Sequence, residues 1–360
     1  MKHNSTRHIG RILAAMGIAS LLVACDSDND EIINQPPPLS RYAVTNLVAD
    51  LNGAGATTID PNLVNPWGVA FGPTGTLWVA NEGTGTSTLY DVNGVAQSLV
   101  VTIPSAISAT GGKPTGTVFN PTADFVIPGG GKANFLFAGM DGTIAAWSAG
   151  TSAQIVIDRS AQDAVYLGVA IASDGVSNFL YAANFKNNSI DVFDANFQFV
   201  KSFTDPSIPA GFGPFNIQQM FGVLFVTYAK QQAAPNNGLQ QIGPGLGFVD
   251  AFNPSGTAYM RFASNGNLNA PWGMAVAPDG FGSLSGAVLI GNFGDGRILA
   301  FDPFTGEFID FLRDATDAPI VLSGLWGLTF GPVQQPASLF FAAGIDGQTH
   351  GLVGKITLVP

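Results

Sequence analysis

The chain has 360 residues, 46% hydrophobic and only 11% charged, with 45 Gly, 23 Pro and 27 Phe. This mixture excludes intrinsic disorder for most of the length and suits many short buried strands joined by tight turns. The formal charge is −11, and without clustered Lys and Arg to meet phosphates, nucleic acid is excluded as a partner.

The first segment reads as targeting. Lys2, Arg7 and Arg11 precede an apolar run from Ile12 to Val23, too short to span a bilayer as a mature helix, so residues 1–24 are expected to be a cleaved signal peptide. Leu22-Val23-Ala24-Cys25 resembles the bacterial lipobox, in which small residues admit the peptidase and the thiol becomes thioether-linked to diacylglycerol. Cys25 is the only cysteine, so no disulfide can form within the chain. Removing residues 1–24, which carry three basic residues and no acid, leaves 11 basic against 25 acidic residues, or −14. Residues 25–40 then form the lipidated cysteine and an acidic, Pro-rich tether without apolar period, expected to be disordered. The protein is therefore expected in the cell envelope, lipid-anchored to a membrane and facing the periplasm or the cell surface. Asp26 resembles the inner-membrane retention signal of enterobacteria, but which membrane holds the chain stays open.

From residue 41 onward internal similarity dominates. Asn65-Pro66-Trp67-Gly68-Val69-Ala70-Phe71 returns as Ala270-Pro271-Trp272-Gly273-Met274-Ala275-Val276 and as Gly324-Leu325-Trp326-Gly327-Leu328-Thr329-Phe330. Weaker copies centre on Gly116, Gly168 and Asn216, so the six markers step by 48, 52, 48, 57 and 54 residues, close to the period of four-stranded propeller blades. Each copy is followed by a second and a third apolar run, such as Leu180 to Ala183 and Ile190 to Phe193. The expectation is an all-β, six-bladed β-propeller over 41–360. The last repeat has only three strands before Pro360, and the strand-like run Arg41 to Val48 is expected to complete it, closing the ring and hiding an edge.

These residues resemble, across 41–360, a family of exported bacterial six-bladed propellers of undetermined function, some with PEP-CTERM sorting tails. The resemblance is carried by Thr45-Asn46-Leu47-Val48, Asp60 to Gly68, Pro114-Thr115-Gly116, Leu180 to Phe185, Pro214-Phe215-Asn216, Ala270 to Gly273, Gly291 to Gly296 and Gly324 to Gly327. It implies the propeller architecture and transfers neither activity nor catalytic residues. Here Cys25 stands in place of the sorting tail.

Propeller geometry places the start of each first strand (A) and the end of each second strand (B) on one face, the top. Trp67, Trp272 and Trp326 are expected at its rim with Asn81, Asn184 and Asn292, which end strand B in blades one, three and five. The tryptophans read either as inter-blade packing or as a stacking platform for a sugar or other flat ligand. The three amide carbonyls beside Glu82, with Asp141, Asp295 and Asp346 in adjoining loops, point to a Ca²⁺ site, although the Asp-Gly pairs are also ordinary turn signatures. This cation centre resembles that of lactonase-type propellers. Ala229 to Gly247 lengthens the top B–C loop of blade four with Lys230, Gln231, Gln232, Asn236, Asn237 and Gln240, as binding loops often do. His350 is the only histidine beyond the signal, so no His-rich metal centre can be built, and no nucleophile elbow accompanies it. Two functions follow: a binding module for an envelope protein or glycan, or a Ca²⁺-dependent hydrolase or lactonase at the channel top.

Overall fold

The computed structural model describes residues 39–359. The signal peptide, Cys25 and all but the last two residues of the tether lie outside the described residues. The rest forms six antiparallel sheets in sequence order around an axis, the expected six-bladed propeller. Strands A of the six blades are Pro66–Phe71, Pro114–Phe119, Tyr166–Ser173, Phe212–Met220, Pro271–Val276 and Leu325–Phe330.

The centre of every strand B is apolar because both of its faces are covered. In blade three, Leu180 and Ala182 pack toward blade two, whereas Tyr181 and Ala183 pack toward blade four. In blade six, Leu339, Phe341 and Ala343 face blade five, while Phe340 and Ala342 face blade one. This is the period of two of an extended chain, with both registers buried. One apolar cluster thus fills each of the six junctions, and a seventh sits on the axis.

The ring closes as expected. Tyr42–Ala49 is the outer strand of blade six, antiparallel to Leu352–Leu358, with Tyr42 opposite Leu358 and Ala49 opposite Leu352. Tyr42 and Ala49 enter the junction with blade five, Leu47 and Val48 the junction with blade one. The Tyr42 hydroxyl donates to the Phe281 carbonyl at 2.8 Å, and Ser40 exchanges hydrogen bonds with Ser283, both in the bottom A–B connection of blade five.

The marker glycines let neighbouring A strands touch around the channel. A Cβ on Gly68 would lie 2.6 Å from the Thr115 carbonyl oxygen, and one on Gly327 2.4 Å from that of Trp67, so only a hydrogen fits there. Blade four substitutes Asn216, whose amide instead donates to the Trp272 carbonyl at 2.9 Å.

Candidate functional site

In all six blades the pairing of strand A with strand B slips near the start of strand A, between Pro66 and Val69 in blade one and at the matching place in each other blade, Pro214 to Asn216 in blade four. The bulge re-aims one side chain, and the residues it delivers are Trp67, Thr115, Leu167, Phe215, Trp272 and Trp326. In the three tryptophan blades the preceding Asn65, Ala270 and Gly324 all adopt positive φ, which sets the same entry into each strand.

The tryptophans meet as a plug. Trp67 and Trp326 stack with centroids 3.4 Å apart at 15°, and Trp272 stands edge-on to both at 5.9 Å. Phe293 covers the other face of Trp326 at 4.0 Å, and Phe215 and Leu167 complete the cluster. Trp67 and Trp272 are 3% exposed and Trp326 is 0%. The sequence brought these rings together correctly, but they cover one another, so they are packing and not an open stacking platform. Below the plug, the channel is a cavity of about 350 Å³ lined by Val69, Thr117, Ile217, Gln219, Met274 and Thr329 among others.

The three asparagines end strand B as expected, and each side chain is engaged by groups around it. The Asn184 carbonyl accepts from the Val165 backbone N–H and its amide donates to Asp191; the Asn292 carbonyl accepts from Asn269 N–H and its amide donates to the Asn267 carbonyl. Asn81 donates to Thr86 and Thr88 within its own blade. Each amide therefore ties strand B to neighbouring backbone or to strand C, and two of the three carbonyl oxygens are already used. Glu82 is engaged as well: it accepts from the Asn65 amide at 2.9 Å and pairs with Lys113 at 3.2 Å, while Asn65 accepts from the Trp326 indole N–H at 3.3 Å. This chain of contacts laces blades six, one and two across the plug. Asp141 and Asp295 cap their turns by accepting from Thr143 and Arg297 backbone N–H, and His350 pairs with Asp50 at 2.7 Å. Among the described residues, no three His, Cys, Asp or Glu side chains group as metal ligands.

The open site on the top face lies elsewhere. The lengthened loop of blade four folds into an extension of the sheet: strand B runs on to Gln231, and Gln240–Gln241 pairs back on Lys230 and Gln231. Gln231 also donates to the Phe185 carbonyl, tying the loop to blade three. Beside it is a hollow of about 510 Å³ whose wall is Gln232, Gln240, Gln241 and Ile242, with Phe293 from blade five and Gln348 from blade six. Gln232 and Gln240 fell in the loop singled out from the sequence. Phe293 and Gln348 did not, because residues from three blades share no spacing.

A second polar cluster sits under the same loop. Asp250 is 2% exposed, with one carboxylate oxygen bonded to Arg261 and the other without a partner beside the equally unpartnered Tyr228 hydroxyl. Burial, aided by the nearby charge of Asp205, pushes the Asp250 pKa up to about 7. Burial also works against the Asp205 carboxylate, but hydrogen bonds from Ser207 and Arg261 outweigh it and bring its pKa down to about 2. A raised acid holds its proton in the folded chain while the unfolded chain has lost it, so Asp250 makes stability fall as pH rises from about 4 to about 7. The depressed Asp205 acts oppositely, removing stability as pH falls from about 4 to about 2. Urea melts should show that fall between pH 4 and 7, and Asp250→Asn should flatten it; an unchanged slope in the variant would assign the effect to other groups.

The fold and this geometry define the class, a six-bladed β-propeller with a plugged axis. No protein-family model matches the chain. It is 34% identical over 334 residues to uncharacterized protein R648 of Acanthamoeba polyphaga mimivirus, covering 88% of this chain and 80% of that one. To uncharacterized protein L690 of the same virus it is 33% identical over 333 residues, covering 88% and 86%. The chain belongs to the family of these uncharacterized proteins. Among solved structures it is similar to a protein of unknown function from Bacteroides thetaiotaomicron, with a TM-score of 0.57, 13% identity and coverage of 88% and 76%. It is also similar to virginiamycin B lyase from Staphylococcus aureus, with a TM-score of 0.53, 12% identity and coverage of 89% and 100%. At that identity the likeness carries the propeller fold and no activity.

Proposed function

We propose that the chain is an envelope-anchored propeller lipoprotein, a binding module that engages its ligand through the top-face hollow between the blade-four loop and Phe293. The observation that carries the reading is the wall itself: four glutamine amides, one aromatic ring and no charged side chain. Such a surface offers both donors and acceptors to a neutral partner and an aromatic edge to an apolar face, which suits an envelope glycan better than an ion or a nucleic acid. The Ca²⁺-dependent hydrolase reading is the weaker one, because the carbonyl oxygens of Asn184 and Asn292 already accept backbone N–H groups.

Two measurements test this reading. A double variant, Gln240→Ala with Gln348→Asn, is expected to lower binding to an array of envelope-derived glycans at least tenfold without changing the melting temperature; asparagine is chosen because residue 348 has positive φ. A wild-type chain that binds no glycan on the array would sink the glycan assignment. Separately, Cys25→Ser is expected to move the protein from the membrane to the soluble fraction, since the lone thiol is the only acyl acceptor and no helix among the described residues is long and apolar enough to span. Retention of that variant in membranes at the wild-type level would refute the anchor.

A further inference from the structure

The bottom face carries a pattern that the proposed ligand site leaves unexplained. Each blade presents one exposed large apolar side chain at a bottom turn: Val95, Val126, Val176, Phe221, Phe304 and Val333. Val176, Phe304 and Val333 are 92%, 86% and 91% exposed, and the other three are more than half exposed. Single exposed apolar residues are common on any surface; one per blade, all at turns on the same face, is a ring. The turns that hold them are fixed from within. Asp174 accepts from Val176 and Ser177 N–H, and Asp302 from Phe304 and Thr305 N–H, so the side chains are held outward on ordered backbone.

The described chain starts on this side of the ring. Ser40 and Tyr42 are fastened to Ser283 and Phe281 in a bottom connection of blade five, and Arg41 pairs with Asp317 in the connection that leaves that blade; thirteen residues, 26–38, separate Cys25 from Leu39. Even fully extended these span at most about 45 Å, comparable with the width of a domain of this size.

From these two facts we infer that the bottom face docks on the lipid surface, the four tips at A–B turns and the two at the outer C–D turns of blades one and five entering the interface while the glutamine-lined hollow faces away. The inference rests on the anchored reading of Cys25. A short tether attached on the bottom side holds that face at high effective concentration against the bilayer, and apolar side chains gain by leaving water at the interface. Asp174 and Asp302 lie beside two tips, while Lys201 lies near Asp174 and Lys132 is bridged to Val126, so the face carries both signs and fits zwitterionic lipid.

The test uses the full lipidated chain reconstituted into phosphatidylethanolamine and phosphatidylcholine vesicles doped with a nitroxide lipid. Single thiols are introduced by Val176→Cys and Phe304→Cys on the bottom and by Ile107→Cys, 97% exposed in the top connection between blades one and two, as the control. Bimane labels at 176 and 304 should be quenched at least twofold and the label at 107 should not. Equal responses at all three positions, or none at 176 and 304 in protein that floats with the vesicles, would overturn the inference. Labels shielded in native envelopes but not in protein-free vesicles would assign the face to a protein and overturn it too. A chain that does not float at all fails at the anchor, and the docking falls with it.

Discussion

A chain lacking residues 41–49 is expected to lose its cooperative melt, whereas one lacking residues 26–38 should melt like the wild type. Strand 42–49 buries Tyr42, Leu47 and Val48 in two junctions at once. Full burial of such side chains is worth roughly 1.5–3 kcal/mol each, so the three together represent about 5–9 kcal/mol. A native domain is stable by only about 5–15 kcal/mol. The deletion also strips Leu352–Leu358 of its partner, leaving an edge open to pairing between molecules. Circular dichroism melts of the two truncations decide the matter: equal midpoints would show that the ring does not depend on its N-terminal strand.

Trp326→Ala should be the most damaging single substitution on the axis. The ring is fully buried, stacked between Trp67 and Phe293, and bonded through its N–H to Asn65. Truncating a buried Trp to Ala costs about 3–5 kcal/mol, which for a chain of this length lowers the melting temperature by roughly 10 °C. Trp326→Phe, which keeps a stacking ring, should lose clearly less. The near-ultraviolet circular dichroism band of the stacked indoles should collapse in the alanine variant. A loss below about 1 kcal/mol would mean that the plug is loose.

The architecture was legible because its causes repeat. A small marker residue recurs once per blade, as Gly in five and Asn216 in blade four, since each A strand must approach its neighbour at the same point, and the apolar centres of the B strands recur since each is covered on both faces. The closing strand could be read from a simple deficit, a last repeat with three strands and an unassigned strand at the other end. The site was less legible. Asn81, Asn184 and Asn292 occupy the expected strand ends, but the backbone groups that consume the amides of Asn184 and Asn292, such as Val165 N–H and Asn269 N–H, lie in connections whose path no periodicity dictates. The tryptophans were placed correctly near the axis, yet the bulge that turns them onto one another leaves no mark in the residue pattern. Of the top-face hollow, only the glutamine-rich lengthening of blade four showed in the sequence. Phe293 and Gln348 reach it by the curvature of the ring.

The pairing of Tyr42 with Leu358 also fixes an order of events in time. These partners are 316 residues apart, so the N-terminal strand of blade six has no blade to join until nearly the entire chain has left the ribosome. Contacts of such sequence separation form late and slow the search for the native state. The incomplete ring cannot lock while its C-terminal strand is still being made, so the earlier blades wait on the last one and closure becomes the final step of folding.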